Sequence, residues 1–408
     1  MTKVPRRLPR PAELRSLLRP RPVQLDGTER RLSRAASISD LRTIARRRTP
    51  RAVFDYADGA ADNELSLRRA REAFSKIEFQ PSVLNDVSNT DTGCDILGRH
   101  STLPFALAPI GFTRMMHHEG ERAVASVAQQ VGIPYALSTL GTTTIEAVAE
   151  AAPEARKWFQ LYIWRDRAPV ADLVARAAAA GYDTLILTVD VPVAGARLRD
   201  VRNGLTVPPT ISLRTFLDGA SHPHWWFNLL TTEPLTFAGF TSTEGNVADL
   251  INRVFDPSLN MGHLEWLRSI WTQSLVVKGV QSVADARRVV DAGADAVLLS
   301  NHGGRQLDRA PVPLELLPEV VEAVGERAEI FVDTGILDGA DVVAAIALGA
   351  RAALVGRAYL YGLMAGGQRG VARAVEILAA EVQRTMQLLG VTSVGDLRPS
   401  HVRLRPRG

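Results

Sequence analysis

Cysteine and long apolar segments are scarce in this chain of 408 residues. The one cysteine, Cys94, excludes an intrachain disulfide and leaves no cysteine-rich metal motif, so no metal site is expected. No apolar run is long enough to span a bilayer, and the basic N-terminus is not followed by the apolar segment of a signal peptide. We therefore expect a cytoplasmic protein.

Glycine-rich nucleotide motifs are missing as well. Neither a P-loop nor a Gly-x-Gly-x-x-Gly fingerprint occurs, which argues against ATP and NAD as ligands. What the chain does have is 46% hydrophobic and 23% charged residues, the balance of a globular protein with ample material for a core.

Positive charge is concentrated at the N-terminus. Residues 1–51 contain 15 Lys and Arg against 4 Asp and Glu, so this segment carries +11 and the remainder of the chain −7. Five prolines within residues 1–35 argue against a packed domain there, and we expect this part to be a solvated, partly disordered arm. The alternative is attraction to anionic lipid headgroups. No nucleic-acid partner is expected, because no aromatic-interleaved basic motif accompanies the charge.

Strand-like and helix-like stretches alternate from about residue 103 onward. Glycines such as Gly181, Gly293 and Gly349 stand where a helix ends before the next strand. Eight β-α units predict a (β/α)₈ TIM barrel, with an open doubly wound sheet as the alternative. The predicted strands are Phe105–Pro109, Tyr135–Thr139, Trp158–Tyr162, Thr184–Asp190, Leu275–Lys278, Ala296–Ser300, Ile330–Asp333 and Ala352–Val355.

A lead-in and a long excursion accompany this repeat. Ser39–Arg48 and Pro50–Ala57 predict helices, whereas Ile77–Val87 and Cys94–Leu97 predict short strands that cap the bottom of the barrel. The connection after the fourth barrel strand, Pro192–Gln273, is far longer than usual, which indicates a functional or partly disordered segment.

Polar residues collect at the ends of the predicted strands. The C-terminal rim is where barrel enzymes keep their active sites, whereas interior strand positions should be apolar. So many polar residues at one rim are poorly explained by folding alone and predict an active site. They are Ser138, Thr139, Gln160, Tyr162, Thr188, Asp190, Lys278, Ser300, His302, Arg305, Asp333, Gly356 and Arg357.

The segment Ser300–Asp308, with the sequence SNHGGRQLD, is the most informative of these. After His302, two glycines let the backbone turn tightly before Arg305. An imidazole titrates near neutrality and can accept a proton, and a guanidinium binds a carboxylate bidentately. With Asp190 to orient the histidine, the pattern indicates a base and a clamp for one small anion.

Two glycine-containing turns follow the last two strands, at Asp333-Thr-Gly335 and Gly356-Arg357. In a barrel this is the usual phosphate site, where backbone N–H groups and a guanidinium face a dianion. Without a dinucleotide fingerprint, the turns predict a mononucleotide cofactor.

These motifs resemble the FMN-dependent α-hydroxy-acid oxidase/dehydrogenase family over about residues 36–395. SNHGGRQLD carries the resemblance most specifically, and Phe159–Tyr162, Leu187–Asp190, Val277-Lys278-Gly and Phe54–Tyr56 support it in the family's order. We accordingly place one FMN-binding barrel domain, including the excursion at 192–273, at residues 36–395 and a tail at 396–408.

The resemblance implies a role for each matching residue. His302 would be the catalytic base, Asp190 would hydrogen-bond its imidazole, and Tyr162 would contact the substrate hydroxyl. The substrate carboxylate is assigned to Arg197, Arg305 and Tyr56.

FMN is the cofactor that the resemblance implies. Lys278 would lie at the N1/C2 edge of the flavin, where a fixed cation favours the anionic reduced form. Asp333 would hold the ribityl hydroxyls. The isoalloxazine is assigned to Pro109, Ile110, Gly111, Ser138, Gln160, Thr188 and Ser300, and the phosphate to Gly335, Gly356 and Arg357.

Three positions depart from the family pattern. Ile110 stands where many members have Thr, a small change if the backbone makes the contact. Leu337 stands where many members have an arginine that reaches the phosphate, so phosphate binding would depend on Arg357 and backbone donors. Leu140 replaces the tryptophan of glycolate oxidases, which makes glycolate a poorer candidate. The element order and the long loop are most similar to FMN L-lactate dehydrogenases.

The resemblance therefore implies oxidation of an L-2-hydroxy acid, first of all L-lactate, to the 2-oxo acid, with a quinone or another carrier as electron acceptor. An oxidase of the lactate or mandelate type, which uses O₂, is the alternative. An FMN-barrel isomerase or a non-catalytic flavin-binding protein belongs to a different class. Neither needs His302, Arg305 and Arg197 arranged around a carboxylate.

The predicted location rests on the basic arm and on three adjacent rings, Trp225, Trp226 and Phe227. Together they predict peripheral attachment to the inner face of the cell membrane. The alternative is that the rings cover the rim of the barrel or fill a subunit interface. The resemblance also implies a homo-oligomer, a tetramer.

Overall fold

The computed structural model describes residues 7–17, 25–204, 218–235 and 255–405. Eight parallel strands form a closed barrel in the order β10-β11-β4-β5-β6-β7-β8-β9. Before the barrel lie the helices α1 (Pro11–Leu17), α2 (Gly27–Leu32), α3 (Ile38–Arg48), α4 (Arg51–Asp58) and α5 (Leu65–Ser75), and the strands β1 (Ile77–Phe79), β2 (Cys94–Ile96) and β3 (Arg99–Ser101). The barrel strands are β4 (Phe105–Leu107), β5 (Tyr135–Ser138), β6 (Lys157–Leu161), β7 (Thr184–Thr188), β8 (Ser274–Val280), β9 (Ala296–Leu299), β10 (Glu329–Val332) and β11 (Ala352–Val355).

Closure of the sheet confirms the predicted (β/α)₈ barrel and excludes the open doubly wound sheet. Each predicted strand overlaps an observed one. The strands are recognisable in sequence because they are buried on both faces, one against the helices and one against the barrel interior. Trp158 and Phe331 stack in that interior with ring centroids 5.9 Å apart, and so fill it with side chains.

Helices connect the strands in the expected alternation. Gly181 shows why glycine follows such a helix: its φ of +77° lies in the left-handed region that side chains disfavour. The helices are α6 (Thr113–Met116), α7 (Gly120–Val131), α8 (Ile145–Ala151), α9 (Arg167–Ala179), α10 (Leu198–Asn203), α11 (Pro223–Thr231), α12 (Met261–Ile270), α13 (Val283–Asp291), α14 (Pro313–Val324), α15 (Gly339–Ala347) and α16 (Arg357–Leu389).

The strand predicted at Cys94–Leu97 is β2, and it forms a hairpin with β3, which was not predicted, at the N-terminal end of the barrel. Ile96 inserts into the interior cluster, and the backbone N–H of Leu97 donates to the carboxylate of Glu329, the first residue of β10. The strand predicted at Ile77–Val87 is wrong beyond Phe79, where regular strand structure ends.

Packing continues across both predicted domain boundaries. Leu32 and Ala35, inside the predicted arm, are buried in the main core. At the other end, β12 (Val402–Leu404) lies in the predicted tail and pairs antiparallel with β1. The packed unit therefore extends beyond residues 36–395 at both ends.

The excursion after β7 contains α10, α11 and α12. Disorder was predicted for parts of this excursion and of the arm, and residues 205–217, 236–254, 1–6 and 18–24 lie outside the described residues. Within the part of the chain that the structure describes, no helix is both long and apolar enough to cross a membrane.

Candidate active site

A cavity of about 650 Å³ opens where the barrel strands end. It gathers nearly every residue that the sequence predicted for cofactor or substrate. These are Tyr56, Pro109, Ile110, Gly111, Ser138, Gln160, Tyr162, Thr188, Arg197, Lys278, His302, Arg305, Asp333, Gly335, Gly356 and Arg357. Asp190 and Ser300 lie directly behind this lining, in contact with His302 and Lys278.

His302 and Asp190 form a hydrogen-bonded pair. The imidazole Nδ1 lies 3.0 Å from Asp190 Oδ1, and the side chain of Asp190 is 1% exposed whereas that of His302 is 22% exposed. Burial and the nearby Lys278 ammonium lower the pKa of His302 below its usual value. Burial alone would raise the pKa of Asp190, but His302 and Lys278 outweigh it and the pKa is lowered. The pair is thus a neutral imidazole backed by a carboxylate.

The backbone holds the histidine in a strained turn. His302 has φ +58°, and Gly303 and Gly304 follow with φ +66° and +76°. A left-handed conformation is unfavourable for histidine, and such strain persists where the surroundings fix it. Here the backbone N–H of His302 donates to Ser300 Oγ (3.0 Å).

The guanidinium groups of two arginines lie close to the Tyr56 ring. The guanidinium carbon of Arg305 lies 4.8 Å from the ring centroid, and that of Arg197 lies 5.8 Å from it. Arg197 Nε is buried without a hydrogen-bond partner. Over the described ranges, no carboxylate lies within 4.0 Å of either guanidinium, and burial together with Arg197 lowers the pKa of Arg305. Asp200 offsets part of this charge from a greater distance, but the pair still offers an anion two guanidinium groups without a direct ion pair.

Arg305 and Arg357 are oriented by the end of helix α4. Arg305 Nη1 donates to the carbonyl of Gly59 (3.2 Å), and Arg357 donates to the carbonyls of Ala57 (3.1 Å) and Gly59 (2.8 Å). Arg357 also donates to the carbonyl of Gly303 (2.9 Å). Arg357, predicted for the phosphate, thus lines the cavity while it ties the lead-in to the histidine turn.

A buried polar chain joins strands β8, β9 and β10. Lys278 Nζ donates to Ser300 Oγ (3.0 Å), which donates to Asp333 Oδ2 (2.9 Å). Lys278 Nζ also lies 3.7 Å from that carboxylate oxygen. Because Ser300 Oγ is held on both sides, the ammonium of Lys278 is fixed at the cavity wall.

A second chain joins β5, β6 and β7. Gln160 Oε1 accepts a hydrogen bond from Ser138 Oγ (3.0 Å), and Gln160 Nε2 donates to Thr188 Oγ1 (3.0 Å). All three residues are buried. Their side chains are therefore held in fixed positions at the wall.

Tyr162 also lies in the wall, at the end of β6. It is 7% exposed, and burial raises the pKa of its hydroxyl above the usual value, so this group remains a hydrogen-bond donor.

Several residues of the site were missed in the sequence. Gln306 joins the histidine turn to the Asp190 loop, because its Nε2 donates to the carbonyls of Asp190 (3.2 Å) and Val193 (2.9 Å). Its position within the SNHGGRQLD motif could have indicated that Gln306 belongs to the site. Near the predicted phosphate turn, Arg71 donates to the carbonyl of Gly335 and pairs with Asp341, and no local motif marks it.

Asp58, on the last turn of α4, was missed too. It accepts hydrogen bonds from Arg42 (2.6 and 2.8 Å), Arg199 (2.9 Å) and the Tyr361 hydroxyl (2.8 Å). This network fixes the turn that presents carbonyls to Arg305 and Arg357. Its members are scattered along the chain, so spacing gave no sign of it.

Comparison with known proteins is consistent with this geometry. Residues 45–404 match the family model described as FMN-dependent dehydrogenase. The chain is 59% identical to the "Putative L-lactate dehydrogenase" of Mycobacterium tuberculosis over 99% of both chains. It is 41% identical to the 4-hydroxymandelate oxidase of Amycolatopsis orientalis, over 90% of this chain and 98% of that one. A crystal structure of a monotopic membrane protein, (S)-mandelate dehydrogenase, has a TM-score of 0.88 and 37% identity, over 91% and 100% of the two chains.

Proposed function

This chain belongs to the FMN-dependent dehydrogenase family, and we propose that it oxidises L-lactate to the 2-oxo acid and passes the electrons to a membrane quinone. The coarser activity, oxidation of a 2-hydroxy acid, is common to its lactate and mandelate relatives. The single observation that carries the proposal is the juxtaposition in one cavity of the His302–Asp190 pair with Arg197 and Arg305, neither of which has a direct ion pair among the described residues.

The residues present fit FMN. The cavity volume, about 650 Å³, lies within the range of small-molecule and cofactor sites. Gly356 caps α16 without a side chain, so the first-turn N–H groups of that helix are available to a phosphate. Lys278 and Gln160 would face the ring system and Asp333 the ribityl chain. FMN, when bound, supplies the two-electron acceptor that the side chains lack.

His302 is proposed to accept the substrate proton at Nε2. Its Nδ1 is engaged with Asp190, so the other ring nitrogen is the one available to the cavity. The lowered pKa keeps the imidazole neutral and ready to accept a proton at pH 7. Asp190 would then stabilise the imidazolium, as a buried carboxylate does in other histidine-based active sites.

Arg197 and Arg305 are proposed to hold the substrate carboxylate. Two guanidinium groups close to the Tyr56 ring can donate to both carboxylate oxygens and fix the orientation of the acid. An isomerase or a passive flavin carrier has no use for this clamp beside a base. These groups therefore favour 2-hydroxy-acid oxidation over the two other classes.

Phe255 supports lactate over mandelate as the substrate. Its ring packs edge-on against Tyr162, with centroids 5.7 Å apart, and it lines the cavity. An aromatic side chain beside the residue proposed to bind the hydroxyl leaves room for a methyl group more readily than for a phenyl group. The 59% identity with a protein named for lactate agrees.

The proposed location rests on helix α11. Phe227 and Leu230 are 66% and 73% exposed there, and at a spacing of three residues they lie on the same face of the helix. Trp225 differs from the prediction: it packs against the core and its Nε1 donates to the carbonyl of Met115 (3.0 Å). Phe227 and Leu230 are thus the proposed membrane contacts, which would bring the site to a quinone pool.

Steady-state kinetics test the substrate proposal. We expect a higher kcat/KM for L-lactate than for (S)-mandelate, and a faster rate with a soluble quinone than with O₂. Phe255→Ala should shift the lactate-to-mandelate ratio toward mandelate by about 10- to 100-fold, the usual effect of reshaping an apolar pocket. A wild-type preference for mandelate would overturn the lactate assignment, and a ratio that Phe255→Ala leaves unchanged would show that Phe255 does not set the preference.

A further inference from the structure

A second cavity, of about 590 Å³, lies beside the active site. Helices α2 and α3, the turn between α6 and α7, helix α11 and helix α16 contribute to its wall. It shares Met116, which is fully buried, with the first cavity. We call it the arginine cavity, after Arg31, Arg48, Arg114 and Arg369, which line it.

Positive charge in the arginine cavity is poorly neutralised. Arg369 pairs with Asp26 at 2.6 Å. No carboxylate of the described residues lies within 4.0 Å of the guanidinium nitrogens of Arg31, Arg48 or Arg114. Glu119, the acidic residue in the wall, is engaged by the backbone N–H of Gln368 (2.6 Å). An arrangement of this kind attracts an anion.

Two buried nitrogen atoms in the wall lack hydrogen-bond partners. Arg31 Nε and His118 Nδ1 are buried without a hydrogen-bond partner. Leaving a buried polar group unsatisfied is unfavourable, and such groups are commonly satisfied by a ligand. Burial and the neighbouring Arg48 lower the pKa of Arg31, and the carboxylate of Asp26 offsets this only in part.

A cation is the competing occupant. His117, His118 and Glu119 place one ligand atom each within 4.8 Å of one another, close enough to share a metal ion. His117 Nδ1, however, accepts from the backbone N–H of Glu119 (3.4 Å), and the guanidinium groups around the cavity repel a dication. The charge balance therefore favours an anion.

We propose that the arginine cavity binds a phosphate group, either free or in the headgroup of an anionic phospholipid. Guanidinium clusters match phosphate through charge and paired N–H donors. Trp225 lines the cavity on helix α11, the helix that exposes Phe227 and Leu230, so a headgroup entering here would lie next to the proposed membrane contacts. The proposal does not depend on the reaction at the first cavity.

Two double variants of the FMN-loaded, full-length chain test the proposal. Arg31→Gln with Arg48→Gln removes two charges from the cavity. Arg46→Gln with Arg47→Gln removes two charges from the exposed face of α3, outside it. Isothermal titration with inorganic phosphate and with dihexanoyl phosphatidic acid measures binding to each. We expect binding to the wild type, weakened about 10- to 100-fold in the cavity variant through lost charge-assisted hydrogen bonds, and changed less than about twofold in the control.

The two probes distinguish free phosphate from a phospholipid headgroup as the ligand. Equal affinity for inorganic phosphate and for phosphatidic acid assigns the site to free phosphate. A markedly higher affinity for phosphatidic acid, together with tighter binding to phosphatidylglycerol vesicles than to phosphatidylcholine vesicles, assigns it to a lipid headgroup. If both double variants bind the probes equally more weakly, the binding depends on general surface charge and the proposal is overturned. So would no binding of either probe to the wild type, or stoichiometric Zn²⁺ binding that His118→Ala abolishes. Should the cavity variant lose FMN, Arg48→Glu carries the same test.

Discussion

Replacing Asp190 by Asn removes the negative charge behind His302 while keeping the shape of the side chain. Asp190 is 1% exposed and its Oδ2 has no hydrogen-bond partner, so the carboxylate is retained in an unfavourable place. If its purpose is to stabilise the imidazolium, the neutral amide should preserve folding and FMN content. The rate of flavin reduction should decrease.

The magnitude follows from the geometry. The charges approach to 3.0 Å, and at an effective dielectric constant of ~20 a unit pair at that distance interacts by about 5 kcal/mol. Each 1.36 kcal/mol of barrier is about a tenfold change in rate, so Asp190→Asn should slow flavin reduction by about 10³- to 10⁴-fold.

The pH profile separates this effect from general damage. Asp190 raises the pKa of His302 against the lowering by burial and Lys278, so its loss should lower that pKa further. The acid limb of kcat/KM, which requires a neutral base, should therefore move to lower pH in the variant even as the plateau falls.

Asp183→Asn is the matched control, because Asp183 flanks the opposite end of the same strand, β7. It pairs there with Arg99 and Arg156 at 3.0 Å each, far from the cavity. It should lower stability and leave the rate intact. Stopped-flow reduction by L-lactate measures both variants. If Asp190→Asn slows flavin reduction by less than about tenfold, or if its acid limb moves to higher pH, Asp190 does not stabilise the imidazolium of His302 as proposed.

Two further predictions concern the clamp and the membrane. Arg305→Lys and Arg197→Lys keep the charge but lose the planar fork, and each should raise the KM for L-lactate by about tenfold or more; unchanged KM values in both would place the carboxylate elsewhere. Phe227→Ser with Leu230→Ser should weaken salt-sensitive binding to anionic vesicles by about tenfold or more, as should deletion of residues 2–24, which keeps helix α2 and the buried Leu32. Indifference of the intact protein to such vesicles at low salt would contradict direct attachment and favour the O₂-using alternative.

The barrel was predictable because its signals are local. Strands such as Thr184–Thr188 are buried on both faces, and polar residues follow them at one rim, so position along the strand already indicated the cavity. Contacts between distant segments were not predictable. Strand β1 ends at Phe79 because its partner, Val402–Leu404, is equally short, and nothing near Phe79 indicates that.

The rings at 225–227 show a second limit. Adjacent residues of a helix point about 100° apart, so three consecutive aromatics cannot share one face. Trp225 faces the core and Phe227 faces solvent. The predicted cluster is therefore divided, and which ring turned inward depended on Met115, far away in the sequence.

Anaerobic addition of L-lactate to the purified, yellow protein shows directly whether this chain oxidises a 2-hydroxy acid with His302 as the base. We expect rapid bleaching with L-lactate and little or none with D-lactate. We also expect that His302→Ala retains FMN but bleaches ~10²–10⁴-fold more slowly, as for loss of a general base. An FMN-loaded wild type that stays yellow with L-lactate and with (S)-mandelate would contradict the proposed activity, and a His302→Ala variant that bleaches as fast as the wild type would contradict the role of His302.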